Sequence, residues 1–520
     1  MSDVTTIEAD VPERYADGVQ TRLRRAADED IVGRIWRKDG TLWAPEGTPE
    51  VTNRLGWLDI AERSREQLAD LEGFRDELLR DGYTDAVVLG MGGSSLAPEV
   101  FRQSFGKVDN GLTLHVLDST HPEEVHKYLD TLPLETTLAI VSSKSGGTIE
   151  PLSMYKAFNE RLNGPHFAAV TDPGSGLEEL ANAQSFRRVF YGDPDIGGRY
   201  SALSAFGLVP AVVAGYDVGA VLESAIGAQE ECQGEQGNAG LWLGVTLGEL
   251  ARAGRDKLTF VADDPLSSYG VWAEQLVAES TGKHGRGILP IADEPLLGPE
   301  AYGDDRVFLH VATANSTNAG KLAKLKDAGH PVITIRALGP ADLGRIFYLS
   351  EFAVAVAGWV LEINPFDQPN VQEAKDNTNR VLKEGSGDVQ PGNLTELTDG
   401  LEPPAYFAIM GYLPYSSETE EAVARLREAI VATYHVATTW GYGPRFLHST
   451  GQLHKGGPKT GRFLQLIDEP SEDLEVPGET FTFKTLIRAQ ADGDLETLRS
   501  HGLPAVRITV GDIDAIKEQL

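Results

Sequence analysis

The sequence predicts an α/β protein with two tandem, doubly wound, parallel-sheet domains and a smaller C-terminal α/β region. One observation behind this is a regular alternation of short apolar runs and helix-like segments from about residue 84 to 215, which is typical of parallel sheets. A second is that the same alternation begins again near residue 257. A third is a pair of glycine-rich turns that each follow an apolar run directly.

The chain divides into four predicted parts. Residues 1–55 are polar and are expected to form a helical lead-in that packs onto the first domain. Residues 56–235 are predicted to be the first doubly wound domain and residues 236–395 the second. Residues 396–520 are predicted to be the C-terminal α/β region, which carries a loop with two histidines.

Within the first domain, apolar runs bounded by turn residues predict strands, and the segments between them predict helices. The predicted strands are 86–89, 112–117, 137–141, 167–170 and 188–191. The predicted helices are 97–105, 123–129, 148–162 and 177–183.

The second domain and the C-terminal region are interpreted by the same reasoning. A Gly- and Glu-rich stretch at 229–240 is predicted to join the two doubly wound domains. The predicted strands of the second domain are 257–261, 306–311 and 332–335, and its predicted helices are 267–280, 319–328 and 343–362. Residues 385–392 are predicted to be a loop, followed by strands at 406–410, 463–467, 480–483 and 506–509.

Composition limits the partners of the chain. Asp and Glu number 78 against 46 Lys and Arg, so the formal net charge is −32, which argues against nucleic acid or an anionic membrane as the main partner. A few local cations and N–H donors can still bind a phosphorylated substrate. A well-solvated acidic surface explains the charge, and adaptation to high salt is the alternative.

The cysteine count and the apolar runs predict a cytoplasmic protein. Cys232 is the only cysteine, which excludes an internal disulfide and a thiolate metal cluster. The first residues lack a basic segment followed by an apolar one. The longest apolar candidate, 352–363, is too short to span a membrane.

Three glycine-containing stretches have the residues needed to hold a small phosphate ester. They are Gly90–Ser95, Ser142–Thr148 and Gly197–Ser201. Glycines let backbone N–H groups approach an anion, and a following helix points its positive end at the same place. Ser, Lys and Thr in the second stretch suit a phosphate monoester.

A dinucleotide site is the alternative for the first stretch, because Asp118 ends the next strand where a ribose-binding acid would stand. Against it, Ser95 occupies the place of the third glycine in that fingerprint. The Ser-Lys-Ser cluster at 143–145 would also be unexplained.

Glu279 is the candidate base. Gln275 and Glu279 are four residues apart and would project from one face of a helix that Gly282 ends. The negative end of the helix dipole would raise the carboxyl pKa, which suits proton abstraction. An exposed helix end is the alternative interpretation.

Two later segments add further candidates. The stretch 364–375 reads as a turn into a helix, with Gln368 at the entrance and Lys375 in the second turn. The stretch 445–458 holds His448 and His454, for which proton transfer is favoured over metal binding because no carboxylate pair stands nearby.

Together these motifs resemble the glucose-6-phosphate isomerase family, whose members consist of two sugar-isomerase (SIS) domains. The resemblance runs from about residue 90 to about 461 and implies that Arg199 stabilises an enediolate, Glu279 is the base, and His448 and Lys375 open the sugar ring. It also implies substrate or phosphate contacts by Gly93, Ser94, Ser143, Lys144, Ser145, Thr148, Gly198, Gln275 and Gln368.

One feature departs from the family pattern. In the commonest members the histidine segment precedes the lysine helix, whereas here His448 follows Lys375. That order resembles the isomerase half of transaldolase–isomerase fusions. His448 is favoured over His454 because its spacing to Gln452 fits better.

The resemblance implies reversible aldose–ketose isomerisation of glucose 6-phosphate and fructose 6-phosphate through a cis-enediol, in glycolysis and gluconeogenesis. It implies a small-molecule hexose phosphate as partner, no cofactor and no metal, and it allows a homodimer. A dual phosphoglucose/phosphomannose isomerase and a non-catalytic sugar-phosphate sensor are the alternatives.

Overall fold

The computed structural model describes residues 7–385, 392–511, 513–518 and 520, and of residues 371, 372, 374 and 375 it describes only the backbone. These residues form three mainly parallel sheets, of five, five and four strands. Helices cover the faces of the sheets, so the α/β class and the doubly wound arrangement are confirmed. The predicted loop at 385–392 lies mostly outside the described residues.

The N-terminal segment, from residue 7 onward, contains one strand and then helices. Its elements are β1 (Ile7–Asp10), α1 (Glu13–Asp28), α2 (Ile31–Trp36) and α3 (Ile60–Arg80). The lead-in was expected to be helical, and the strand β1 is a departure from that expectation. Its cause is the free edge of a later sheet, with which β1 pairs.

The first sheet is fully parallel and has the strand order β3-β2-β4-β5-β6. Its strands are β2 (Asp85–Leu89), β3 (Thr113–Leu117), β4 (Thr137–Ser142), β5 (Phe167–Thr171) and β6 (Arg188–Tyr191). Its helices are α4 (Leu96–Phe105), α5 (Pro122–Thr131), α6 (Ile149–Asn159) and α7 (Gly176–Ala183). Every predicted element is present, with ends shifted by a few residues.

The second sheet has the order β1-β10-β9-β7-β8, and β1 runs antiparallel to β10. Before it, the chain forms α8 (Ala205–Val213), α9 (Val218–Glu231) and α10 (Ala239–Arg252). The sheet consists of β7 (Lys257–Ala262), β8 (Leu289–Ile291), β9 (Arg306–Ala312) and β10 (Val332–Arg336), with helices α11 (Tyr269–Thr281), α12 (Ala319–Asp327) and α13 (Leu343–Leu361). The sequence pattern missed β8, which has only three residues.

The C-terminal region forms a third, fully parallel sheet with the order β12-β11-β13-β14. Its elements are α14 (Pro369–Glu384), α15 (Thr395–Thr398), β11 (Tyr406–Tyr412), α16 (Ser417–Tyr434), β12 (Ala437–Tyr442), α17 (Gly451–Gly456), β13 (Gly461–Ile467), α18 (Phe483–Ser500), β14 (Ala505–Thr509) and α19 (Asp514–Lys517). The domain boundaries near residues 55, 235 and 395 remain predictions.

The predicted strand at 480–483 is wrong. Thr482 is instead the N-cap of α18, and its side chain accepts a hydrogen bond from the Thr485 N–H. Phe483 then begins the helix with its ring buried. The alternating Thr-Phe-Thr-Phe run favours a strand by propensity, but a capping threonine and core burial of the phenylalanine override that preference.

Helix α13 lies at the centre of the protein. The expectation that the longest apolar candidate is 352–363 is corrected here, because the segment Pro340–Leu361 is long and apolar enough to cross a membrane by length and composition. However, 94% of its apolar window is buried inside the structure. Helix α10 packs along it through two glycines, because a Cβ at Gly244 would stand 2.3 Å from the Ala353 carbonyl oxygen. A Cβ at Gly248 would stand 2.6 Å from the Cβ of Val360. At both glycines the two helices are therefore in close contact, with no room for a Cβ atom on α10.

We expect Gly244→Ala to lower the free energy of unfolding by about 1–3 kcal/mol, because the added methyl group overpacks the α10–α13 contact. The matched control is Gly227→Ala in α9, where a Cβ meets nothing within 4 Å. That change should raise stability by about 0.5–1 kcal/mol through helix propensity. Thermal unfolding of both variants checks the pair, and equal midpoints would contradict this packing.

Candidate functional site

Two of the predicted glycine turns meet beside the amino end of α4. A Cβ at Gly93 would stand 2.1 Å from the Gly198 carbonyl oxygen, so the two backbones are in direct contact. Ser201 Oγ donates to the Gly93 carbonyl oxygen at 3.4 Å. Ser94 is buried next to them. The contact brings the turn after β2 and the turn after β6 to one place.

Trp57 packs against the turn that contains Tyr200. Its indole ring is fully buried and stacks on Tyr200 with ring centroids 5.3 Å apart. The ring of Phe366 packs against Tyr200 from another side, with centroids 5.5 Å apart. The residue before Tyr200, the predicted Arg199, is thereby fixed in position.

Arg199 is 2% exposed and donates to several partners. Its Nε donates to Ser280 Oγ at 2.8 Å, and its Nη2 donates to the carbonyl oxygens of Pro365 and Asp367 at 2.7 and 2.9 Å. Its Nη1 lies 3.2 Å from Gln368 Oε1, so these two predicted site residues lie next to each other. A guanidinium held on all sides is rigid and cannot turn away from a bound group.

Glu279 lies against this guanidinium, with its Oε2 3.5 Å from Arg199 Nη1. The carboxyl is 3% exposed on the last turn of α11, which ends at Thr281 as expected from Gly282. Burial raises the pKa of Glu279, and the charge of Arg199 only partly opposes that rise. A buried carboxyl with a raised pKa has the character required of a general base.

Gln275 and His448 belong to the same cluster as Glu279. Gln275 Nε2 donates to the His448 carbonyl oxygen at 2.8 Å. Gly92 fits beneath both, because a Cβ there would stand 2.8 Å from that oxygen and 2.9 Å from Gln275 Nε2. Its φ of +56° is a backbone conformation that glycine adopts without cost. The histidine loop of the third sheet therefore reaches the site of the same chain.

Glu150 is a residue that the sequence interpretation missed. His448 Nε2 lies 2.9 Å from Glu150 Oε1, which also accepts a hydrogen bond from Gln490 Nε2 at 2.8 Å. Glu150 stands in the first turn of α6, two residues after Thr148. Its position just after the predicted phosphate loop could have marked Glu150 as a candidate site residue. Nothing in the sequence, however, pairs it with a residue 298 positions away.

The predicted phosphate loop lies between β4 and α6. Ser143 Oγ donates to Thr148 Oγ1 at 3.2 Å and accepts from the Gly146 N–H at 3.2 Å. Ser145 Oγ accepts from the Gly147 N–H at 3.3 Å. Hydroxyls and N–H groups thus converge at the amino end of an 11-residue helix, an arrangement that suits an anion.

Lys144 points away from the centre of this loop. Its ammonium forms an ion pair with Asp172 and also donates to the Asp193 carbonyl oxygen at 3.1 Å. A phosphate contact by this side chain stays a prediction. A bound phosphate would have to compete with Asp172 for the ammonium group.

Gln368 is the residue before α14, as predicted, and Lys375 lies in the second turn of that helix. The side chain of Lys375 lies outside the described residues, so its predicted role stays a prediction. Gln452 joins the Lys375 helix to the histidine segment. Its Oε1 accepts from the Asn370 N–H at 2.9 Å, and its Nε2 donates to the Gly282 carbonyl oxygen at 3.0 Å.

Lys283 is a second residue that the site prediction left out, although it closes the 275–283 motif. Its ammonium donates to the Asn364 carbonyl oxygen at 2.5 Å and lies 2.6 Å from Asp367 Oδ1. Burial lowers the pKa of Lys283 to about 7, and Arg199 contributes to that lowering. Lys283 and Arg199 together hold the segment that leads into α14.

His454 is a core residue. Its Nδ1 lies 2.9 Å from the Tyr406 hydroxyl, and its ring packs edge-on against Phe463. Burial lowers the pKa of His454 to about 3, so it stays neutral. The choice of His448 over His454 for the cluster agrees with this placement. Among the described residues, no group of three or more His, Cys, Asp or Glu side chains could hold a metal ion.

Two tandem parallel-sheet domains with a phosphate-type loop and a buried Arg–Glu pair between them define a protein of the sugar-isomerase-domain class. Residues 79–283 match the family model for phosphoglucose isomerase. This matching stretch includes both Arg199 and Glu279.

Two relatives named as glucose-6-phosphate isomerases are similar to most of this chain. The chain is 29% identical to the glucose-6-phosphate isomerase of Citrifermentans bemidjiense, over 73% of this chain and 83% of that protein. It is also 29% identical to that of Staphylococcus saprophyticus, over 66% and 90%. The resemblance predicted from the motifs is confirmed.

The fold matches two crystal structures. A glucose-6-phosphate isomerase from Chlamydia trachomatis has a TM-score of 0.59 at 18% identity, and the match covers 70% of this chain and 86% of that one. A hypothetical protein from Thermus thermophilus has a TM-score of 0.58 at 25% identity, and the match covers 72% and 100%. The predicted sugar-isomerase fold is confirmed.

We expect Gly92→Ala to move His448, because the new methyl group would collide with the His448 carbonyl and with Gln275. The matched control is Gly400→Ala, which has a φ of +63° but meets nothing within 4 Å. Both changes should cost about 1 kcal/mol of stability through backbone strain. Only the first should shift the imidazole signal of His448 in histidine-labelled NMR spectra, and an unmoved signal would contradict the contact.

Proposed function

We propose that this protein interconverts glucose 6-phosphate and fructose 6-phosphate through a cis-enediol, as a glucose-6-phosphate isomerase of glycolysis and gluconeogenesis. The observation that carries the proposal is the buried contact between Glu279 and Arg199 at 3.5 Å. It places a proton acceptor and a fixed positive charge side by side, next to the glycine turns. An isomerase of this type needs both groups at adjacent substrate atoms.

Glu279 would take the proton from carbon two of the open-chain sugar and return it to carbon one. As the proton leaves, negative charge collects on the carbonyl oxygen. Nη1 of Arg199 faces Glu279 and Gln368, while its Nε and Nη2 are held by Ser280 and two backbone carbonyls, so the guanidinium is already oriented at that moment. One such preorganised donor lowers the barrier by about 3 kcal/mol.

Ring opening requires a proton to move from the ring-closing hydroxyl to the ring oxygen. His448 suits this step because Glu150 contacts its Nε2 and fixes the ring orientation, so the proton transfer would use Nδ1. Lys375 is the second candidate for this step, on the strength of its place in the family motif. Histidine paired with a carboxylate is a common arrangement for proton transfer.

The loop 143–148 would hold the 6-phosphate, with Gly93, Ser94 and Gly198 beside it. Its hydroxyls and N–H groups surround the amino end of α6. These phosphate contacts would lie away from the reacting carbons, so they would supply binding energy that positions those carbons. The substrate is thereby expected to be a hexose 6-phosphate, and the reaction itself needs no cofactor.

The cluster of Glu279, Arg199, Gln275 and His448 is built within one chain, so these four groups need not come from a second subunit. The family resemblance also allows a homodimer. We place the protein in the cytoplasm, with a small-molecule hexose phosphate as its partner.

The test is a coupled assay on glucose 6-phosphate and fructose 6-phosphate, with mannose 6-phosphate as a third substrate, and a set of matched variants. We expect Glu279→Gln to lower deuterium exchange at carbon two by about a hundred-fold to ten-thousand-fold, because the amide cannot accept the proton. Affinity for the sugar phosphate should stay within a few-fold.

Glu274→Gln is the matched control on the same helix. Glu274 is also buried, and burial raises its pKa to about 8, but its Oε1 accepts from the Ala292 N–H on the opposite side of α11. The exchange rate of this variant should remain near that of the unmodified protein. Equal losses in both variants, or exchange that survives Glu279→Gln, would remove Glu279 from the role.

The turnover rate should fall as the pH drops through the raised pKa of Glu279. Because burial raises that pKa above its ordinary 4.5, the carboxylate is lost at a higher pH than in a solvated glutamate. The substrate phosphate also titrates near pH 6, as its second pKa is about 6. Measuring kcat at saturating substrate reports the bound complex, and a kcat that stays flat down to about pH 4.5, the ordinary value, would contradict the assignment.

A further inference from the structure

The second sheet repeats the topology of the first, and this allows a residue-by-residue comparison. In the first sheet β2 is flanked by β3 and β4, and β5 lies beyond β4. In the second sheet β7 is flanked by β8 and β9, and β10 lies beyond β9. Strand β9 therefore corresponds to β4, and helix α12 after it corresponds to α6.

The loops after these two strands have the same length. Residues 143–148 separate β4 from α6, and residues 313–318 separate β9 from α12, six residues in each case. The second loop is also polar, with the sequence Thr-Ala-Asn-Ser-Thr-Asn. By position and composition it corresponds to the proposed phosphate loop.

The residue that directly follows β2 differs in kind from the residue that directly follows β7. Leu89 pairs with Val141 and is the last residue of β2, so Gly90 follows the strand. Ala262 pairs with Val311 and is the last residue of β7, so Asp263 follows that strand. Gly90 and Asp263 thus occupy equivalent positions, and the second domain has a carboxylate where the first has no side chain.

The carboxylate of Asp263 is seated on the second loop. Its Oδ2 accepts from the Thr313 N–H at 3.2 Å, and its Oδ1 accepts from Asn318 Nδ2 at 3.0 Å. His310 Nε2, on β9, lies 2.9 Å from Oδ2. Asp263 is 5% exposed. Burial alone would raise its pKa, but donors from Ser316, His310 and Asn318 outweigh burial, so the pKa of Asp263 lies below its usual value.

A Ser-His-Asp catalytic triad is the other interpretation of these residues, and the geometry does not support it. A triad needs the carboxylate on one imidazole nitrogen and the serine on the other. Here Asp263 Oδ2 and Ser316 Oγ both approach the same atom, His310 Nε2, at 2.9 and 3.3 Å. The histidine therefore serves as a partner of the carboxylate, not as a relay.

We propose that the loop 313–318 is a second anion-binding loop, which the protein fills with the carboxylate of Asp263, so that each chain binds one phosphate group and not two. The carboxylate supplies two oxygens to an N–H group and to the side-chain amide of Asn318, the residue that corresponds to Thr148 of the first loop. The proposal concerns the second domain and stands apart from the proposed isomerisation.

Calorimetric titration with inorganic phosphate tests it by counting bound phosphate. The unmodified chain should bind one phosphate, and Ser143→Ala/Thr148→Ala should reduce that count to zero. Adding Asp263→Ala to the double variant should restore one phosphate per chain, because it empties the second loop. Asp263→Asn is the matched control, since its amide oxygen still accepts from Thr313 and keeps the loop filled.

Each outcome supports or overturns the proposal. An Asp263→Ala variant that keeps its thermal midpoint and circular dichroism but gains no phosphate would overturn it. Two phosphates on the unmodified chain, one of them lost in Asn318→Ala, would also overturn it. If Asp263→Ala does not fold, Asp263→Ser replaces it. Phosphate binding that survives Ser143→Ala/Thr148→Ala would count instead against the phosphate loop of the proposed function, and added binding in Asp263→Ala would still support this inference.

Discussion

The buried guanidinium of Arg199 is the contact on which the candidate site depends. A charge removed from water must be paired and hydrogen-bonded, or it destabilises the fold by several kcal/mol. Arg199 meets this requirement with Ser280, Glu279, Gln368 and the carbonyls of the 365–367 segment. Because those partners come from α11 of the second domain and from the turn before α14, one side chain fixes three separate parts of the chain.

The third sheet brings the histidine to this site through a similar set of polar contacts. Gln452 ties α17 to the entrance of α14 and to Gly282, at the end of the helix that carries Glu279. Glu150 then fixes the ring of His448 from the side of the phosphate loop. These contacts are why a histidine that follows the lysine helix in sequence still lies in the same cluster.

The two equivalent sheets show how one topology yields one reactive site. In the first, Gly90 leaves the carboxyl ends of the strands without a side chain, and a Cβ there would stand 2.8 Å from the Ser94 carbonyl oxygen. In the second, Asp263 fills the same position and satisfies the donors of its own loop. At this position the two sheets differ by a carboxylate against a glycine, and the contacts of that carboxylate stay within its own loop and the neighbouring strand β9.

The sequence alone determined the alternation of strands and helices in the first domain, the place of Glu279 on the last turn of a helix, and the glycine turns. These features depend on local periodicity, turn chemistry and motif spacing, which act over a few residues. The sequence pattern wrongly predicted a strand at 480–483, because a threonine cap and a core contact outweigh β-propensity there. Only the tertiary structure decided that Glu150 pairs with His448, that Lys144 pairs with Asp172 and that Lys283 supports the segment bound by Arg199. Such contacts depend on how segments that are distant in sequence pack together, and a local sequence pattern carries no information about that packing.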